Sequence, residues 1–448
     1  MQSIEALALT GRLMFSEGMD VRAILKENMK ILNCFYISMR GILTVGFLSA
    51  AASTVPMARR YRNRGHCEWA EGGWMMIATL KLWSALAVAL ALAATPLRAE
   101  FIYVVNAADY TISAYSIGRS GALEPVPGSP FSADFEPRYI AVDVAGRFVY
   151  VSNANGFISP GTVSAYSIGP TGALTPVPGS PFQTTETEPA AIAVDFLGRF
   201  VYVANTNLGA RGTISAYRIG FNGVLTPVAG SPFQTGIEPQ SMGVDYLSRT
   251  VYLGTAGGYN AVWAHHIGPD GALTPVVGSP FPTGGEPLAT AVDVLGRFVY
   301  VTNDNVFVAP STVAAYRIFA NGALAPVAGS PFQTGAPLDY DPISVAVDPL
   351  GRFAYVVNTR DTFAGLATVS GYRIVRNGAL TPVGGSPFPA SINSIFITVD
   401  LSGQFAYVAN LPDNTISAYR IGFNGALTPV AGSPFQTGKA PYSIAIYP

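Results

Sequence analysis

Residues 239–281 read PQSMGVDYLSRTVYLGTAGGYNAVWAHHIGPDGALTPVVGSPF, and this stretch holds the fold in miniature. Met242–Asp245 alternates apolar and small residues, the period of a strand with two distinct faces. A turn over Leu247–Arg249 leads into a second strand, Thr250–Leu253, and a third, Ala261–Ile267, follows a variable loop. Asp270-Gly271 then makes a tight turn into a fourth, Leu273–Val277. The closing tetrapeptide Gly-Ser-Pro-Phe recurs from Gly128, Gly179, Gly230, Gly278, Gly329, Gly385 and Gly432, and the rest of the unit recurs around it. Four strands in about 50 residues, repeated around each of these copies, predict an all-β, seven-bladed β-propeller of four-stranded blades.

Closure is legible at the two ends. The repeats start mid-unit at Phe101–Asn106, without a first strand, and the chain stops at a segment, Tyr442–Tyr447, that reads as that missing strand. Pairing of the N- and C-terminal strands would therefore close the ring and remove its exposed edges. Composition agrees. With 47 Gly, 34 Pro and only 12% charged residues, the chain has too few charges to solvate long helices.

Within each unit the recurring polar residues have structural readings. Asp143, Asp195, Asp245, Asp293, Asp348 and Asp400 each open a turn, and Arg147, Arg199, Arg249, Arg297 and Arg352 follow four residues later as ion-pair partners. Ala141, Ala193, Ala291 and Ala346, with Gly243, suit an innermost strand crowded at the axis.

The first hundred residues are of a different kind. Leu82–Leu97 is uncharged, follows Lys81 and ends before Arg98-Ala99-Glu100. At that length it is short for a membrane span and suits a signal peptide over residues 75–99, cleaved after Ala99. Residues 1–74 are then an upstream extension, with translation starting at Met75 or Met76. The alternative is a cytoplasmic tail ahead of a signal anchor, which Arg59, Arg60, Arg62 and Arg64 would favour. Either way the propeller, residues 100–448, is expected outside the cytoplasm, periplasmic or secreted in the first case and anchored to the inner membrane in the second. After cleavage no stable span is expected.

Residues 100–448 carry 15 Lys and Arg against 21 Asp and Glu, and Lys439 is the only lysine among them. Nucleic-acid binding needs clustered cations to displace counterions, so it is excluded. Both cysteines, Cys34 and Cys67, precede the repeats, which excludes a thiolate metal site or cysteine nucleophile in the ring.

Tyr300-Val301-Thr302-Asn303 spells a YVTN motif, with variants at Tyr103–Asn106, Tyr150–Asn153, Tyr202–Asn205, Tyr355–Asn358 and Tyr407–Asn410. Together with turns such as Asn424-Gly425-Ala426-Leu427, this resembles the YVTN-type and lactonase-type seven-bladed propellers over nearly all of residues 101–448. The resemblance implies a phosphogluconolactonase-like hydrolase of a sugar lactone or a carboxymuconate cyclase. It equally implies a surface protein without assigned chemistry. The family's enzymes are thought to use carboxylate, arginine and histidine side chains at the channel mouth. Here the pattern departs, because His265 and His266 fall on an outer strand and His66 lies outside the repeats. A Ser-His-Asp triad and zinc-ligand spacing are both missing.

One column of the repeat carries candidate chemistry. The position before the inner strand holds Glu136, Glu188, Glu238, Glu286 and Asp341, then Asn393 and Ala440. Propeller geometry would gather these at one mouth, where they could cap their own loops, bind Ca²⁺ or a cationic ligand, or serve as a general base. Arg138 has no counterpart in the other units (Ala190, Gln240, Leu288, Ile343, Ile395, Tyr442) and is the candidate to hold an anionic substrate group. Glu136, Glu188 and Arg138 are thus the expected catalytic set. Glu238, Glu286 and Asp341 are expected to bind ligand, together with Arg211 and Arg360 from the variable loops. The expected function is a lactone hydrolase acting as a monomer without a cofactor, save for a Ca²⁺ ion at the acidic rim. The alternative is a non-catalytic propeller that binds a surface ligand.

Overall fold

The computed structural model describes residues 100–447, apart from 157–158, 208–210, 246–248, 259, 306–308, 338–339 and 361–364. The expectations for residues 1–99 lie outside these, as does most of the Leu247–Arg249 turn. Among the described residues no helix is long and apolar enough to cross a membrane. Seven antiparallel sheets succeed one another, each a blade. In the second blade the innermost strand is Pro137–Val142, followed outward by Phe148–Asn153 and Pro160–Ile168. The first blade is shared by both ends of the chain: Pro441–Tyr447 is its innermost strand and pairs antiparallel with Phe101–Asn106, Phe101 facing Tyr447 and Ile102 facing Ile446.

The fourth strand differs from expectation. It comes in two pieces, Leu174–Pro176 and Phe182–Thr187 in the second blade, both paired with the third strand. Gly-Ser-Pro-Phe does not follow the strand but interrupts it. Where the ladder breaks, the serine hydroxyl accepts the orphaned backbone N–H of the third strand: Ala165 N to Ser180 Oγ is 2.9 Å. The same bond joins Ala114 to Ser129, Ala216 to Ser231, Ala264 to Ser279, Ala315 to Ser330, Gly371 to Ser386 and Ala418 to Ser433, each 2.9 Å. The repeated serine is there because a buried N–H without an acceptor would be costly.

Second-strand residues are buried except Asp304 and Arg360 at strand ends, and their tyrosines link the blades. Tyr103 donates to the Gly172 carbonyl of the next blade, Tyr150 to Gly223, Tyr202 to Gly271, Tyr252 to Gly322, Tyr300 to Gly378 and Tyr355 to Gly425. Tyr407 donates to Gly121 and so returns the series to the first blade. These glycines cannot carry a side chain: at Gly172, whose φ is +82°, an added Cβ would lie 2.4 Å from the Phe101 ring.

The turns joining first to second and third to fourth strands share one face of the disc, here the turn face. The second-to-third loops and the connections between blades share the other, the rim face. Four of the Asp–Arg pairs form on the turn face as expected, for example Arg147 Nε to Asp143 Oδ2 at 2.7 Å and Arg297 Nε to Asp293 Oδ2 at 2.7 Å. The remaining two are Arg199 with Asp195 and Arg352 with Asp348.

Candidate functional site at the rim mouth

Each of blades two to seven begins its inner strand with a bulge. The register slips between Pro137 and Tyr139, and again at Pro189/Ala191, Pro239/Ser241, Pro287/Ala289, Pro342/Ser344 and Ser394/Phe396. A bulge re-aims its extra residue. Here that residue is Arg138, Ala190, Gln240, Leu288, Ile343 or Ile395, a column in which the repeats disagree. The bulge turns sequence variation into an asymmetric channel mouth.

Two cavities follow. A central one of about 430 Å³ is lined by inner-strand residues including Ile140, Met242, Leu288, Ile343, Ile395 and Phe396. A second of about 380 Å³ opens at the rim and is lined by Arg138, Tyr139, Glu188, Pro189, Ala190, Thr206, Glu238, Gln240 and Tyr442. Tyr139, Gln240 and Tyr442 line both. The mouth is therefore polar over the first four blades and apolar over the remainder. Both volumes lie in the range of small-molecule sites.

The rim carboxylates do not form the uniform ring expected from their column. Glu136, Glu188 and Glu238 adopt left-handed backbone conformations, with φ of 51°, 51° and 49°. Asn393 and Ala440 do the same at 43° and 53°, so the conformation belongs to the blade entrance and not to carboxylate chemistry. Glu136 Oε2 accepts from Gly156 N at 3.2 Å, within its own loop, and it does not line the mouth cavity. Glu188 Oε2 accepts from Thr206 Oγ1 at 3.1 Å but does line it. Glu286 and Asp341 are drawn into the strands Glu286–Val292 and Tyr340–Val347, opposite Asp304 and Thr359.

Of the three expected catalytic residues, the structure brings Arg138 and Glu188 together and leaves Glu136 on its loop. Glu238 joins them. Glu286 stands close enough to feel Glu238: partial burial, then Asp304 and Glu238, raise its carboxyl above the usual range. Arg211 and Arg360 are exposed at strand ends, outside the lining of either cavity. Among the described residues no three His, Cys, Asp or Glu side chains gather as a metal site.

Sequence reasoning did not nominate Tyr139 and Tyr442. Their rings meet edge to face at 5.4 Å, and burial together with Tyr442 holds the Tyr139 phenol well above its usual range. The signal was present, since Tyr442 occupies the column of Arg138.

The sequence model of the family described as "Lactonase, 7-bladed beta-propeller" matches residues 106–242. Among solved structures, a provisional 6-phosphogluconolactonase of Bacteroides uniformis shares 17% identity over 78% of this chain and 99% of its own, with a TM-score of 0.65. A second, from Bacteroides fragilis, shares 19% over 79% and 99%, also at 0.65. The periplasmic gluconolactonase PpgL of Pseudomonas aeruginosa shares 18% over 78% and 98%, at 0.60. No curated protein matches the chain. The lactonase resemblance thus holds for the fold, which these identities alone can speak to.

Proposed function

We propose that this lactonase-type propeller is an extracytoplasmic hydrolase that opens a sugar lactone at its rim mouth. The observation that carries the reading is the 380 Å³ cavity in which Arg138, Glu188 and Glu238 converge with Gln240 and Tyr442. A guanidinium and neutral donors can bind a carbonyl oxygen and stabilise the negative charge that develops on it. Glu238 then takes a proton from water as the hydroxyl adds to the carbonyl carbon. The same proton passes to the ring oxygen as the C–O bond breaks, leaving a hydroxy acid. Glu188, held by Thr206, is placed to accept sugar hydroxyls. PpgL is named a periplasmic gluconolactonase, which supports the same reaction class and location for this chain.

The test is lactone hydrolysis by the purified protein, with glucono-δ-lactone as the first substrate and acid release followed in a pH-stat. Glu238→Gln should lower kcat by about 10²-fold or more. Arg138→Ala should raise KM with a smaller effect on kcat if the guanidinium mainly binds, and lower kcat and kcat/KM equally if it meets the oxyanion. Wild-type rates in both variants would refute the assignment. One observation favours a second reading, a non-catalytic binding ring: the Glu136 and Glu188 carboxylates are engaged by their own loops. Failure to hydrolyse any aldonolactone, with tight binding of one, would support it.

A further inference from the structure

The turn face is as distinctive as the mouth, and the proposed hydrolysis makes no use of it. Its apolar residues are exposed in two circles. The inner circle comes from the first-to-second turns and includes Phe196, Leu197, Leu295 and Leu350, at 47%, 61%, 48% and 56% exposure. The outer circle comes from the third-to-fourth turns. There Phe221 and Phe423 are wholly exposed, at 100% and 101%, and Phe319 is 44% exposed. They belong to blades three, seven and five, so the phenyl groups are spread around the disc. A single exposed Leu needs no explanation, but aromatic rings on turn tips around one face do.

The charges beside them point to what this face meets. The aspartates of the first-to-second turns are buried at 0–3%, so they lie beneath the surface, and Asp270 is an exposed acid on a third-to-fourth turn. The arginines stay outside: Arg218, Arg317, Arg373 and Arg420 are exposed at the ends of the third strands, and Arg119 and Arg376 sit on the turns. Arg218 and Arg373 lie over the Phe200 and Phe353 rings at 5.1 and 5.2 Å, which holds the guanidinium heads at the face. The rim face is the reverse, with Glu136, Glu188, Glu238, Glu286, Asp304 and Asp413 among its acids against Arg138, Arg211, Arg360 and Lys439. The disc is electrically polar, and its cationic side is the one that carries the exposed phenyls.

We propose that the turn face docks on an anionic lipid surface, with Phe221, Phe319 and Phe423 set into the headgroup layer and the arginines paired with lipid phosphates. Phenyl groups on turn tips and cations at the same level are what interfacial binding requires. Docking would leave the rim mouth facing away from the membrane, open to solutes. A second copy is a poorer occupant. The charge pattern would stack turn face on rim face, where Tyr110, Phe135 and Leu366 are exposed at two places only among the described residues, and head-to-tail contacts would continue into filaments.

The protein recovered from its producing cells should co-sediment with vesicles of phosphatidylglycerol and phosphatidylcholine, and far less with phosphatidylcholine alone. Binding should weaken as NaCl is raised. Phe221→Ser/Phe423→Ser should lower affinity about tenfold or more without changing the melting temperature, because both rings are outside the core. Arg373→Gln/Arg420→Gln should remove part of the preference for anionic vesicles. Equal binding to neutral vesicles, or undiminished binding by the phenylalanine variant, would overturn the proposal. So would self-association in sedimentation velocity that the same variant abolishes, which would assign the face to another copy of the chain.

Discussion

One blade shows what the repeated side chains do by lacking them. In blades one to three and five to seven, a third-strand tyrosine donates to a backbone carbonyl of the preceding blade, as Tyr217 does to Gln183 at 3.2 Å. The fourth blade has His265 there, 1% exposed and stacked on Trp263. Among the described residues neither ring nitrogen has a well-formed hydrogen bond, and neither has Trp263 Nε1. Burial pushes the His265 imidazole down to about 4, only partly offset by the Gln234 backbone. The sign follows from linkage: the unfolded chain takes up a proton near pH 6.5 that the folded chain refuses until about 4. Stability therefore falls as the pH drops through that window, by roughly 3 kcal/mol at the acid end. His265→Tyr should supply the hydrogen bond to the Gln234 carbonyl and remove this part of the acid sensitivity. Melting temperatures of both proteins between pH 7 and 4 provide the check, and parallel curves would contradict the account. The sequence placed His265 correctly on an outer strand. Its full burial could not be read there, because the alternation of a strand does not say which neighbouring blade covers it.

At the level of the strand, the least expected feature is the outer edge. The repeats of Gly-Ser-Pro-Phe were plain in the sequence, but the second half of the outer strand is as short as Phe131–Ser132. Two residues have no periodicity to detect, so the motif reads as an end when it is an interruption. Its serine should be worth one buried hydrogen bond. Ser330→Ala would leave the Ala315 N–H without its acceptor and should cost about 1–2 kcal/mol in urea unfolding. Gly378→Ala should cost more, roughly 3 kcal/mol. Its φ is +88°, and the new Cβ would come within 2.4 Å of the Phe298 ring in the adjacent blade. If the two variants were equally mild, the interlock between second-strand aromatic rings and third-to-fourth turns would not be holding neighbouring blades together. The candidate site was legible to a similar depth. The column containing Arg138, Gln240 and Tyr442 was visible as a place where repeats disagree. That Glu136 turns to its loop while Glu238 lines the cavity depends on side-chain geometry, which identical spacing conceals.

The ring as a whole has one joint that differs from the others. Six blades join inner to second strand through a covalent turn, whereas the first holds Pro441–Tyr447 against Phe101–Asn106 by pairing alone. Removing residues 441–448 should bare the edge of Phe101–Asn106 and lead to aggregation, seen by light scattering. The joint also lacks its cation. Where blades two to six place an arginine before the second strand, this one has Glu100, and Gln404 stands in that position in the seventh blade. Instead burial first, then the charge of Asp400, push Glu100 up to about 7. The ordinary value is 4.5, so between about pH 4.5 and 7 the folded ring holds a proton that the unfolded chain has already released. That contribution is complete below about pH 4.5 and is lost as the pH rises through 7. With Glu100 only half-buried, solvent screening leaves about 1 kcal/mol of it. Glu100→Gln keeps the shape and removes the charge, so the variant should match the wild type at pH 4.5 and exceed it in urea midpoint at pH 8. Equal midpoints at both pH values would mean that the burial of the Glu100 charge at the joint does not limit ring closure.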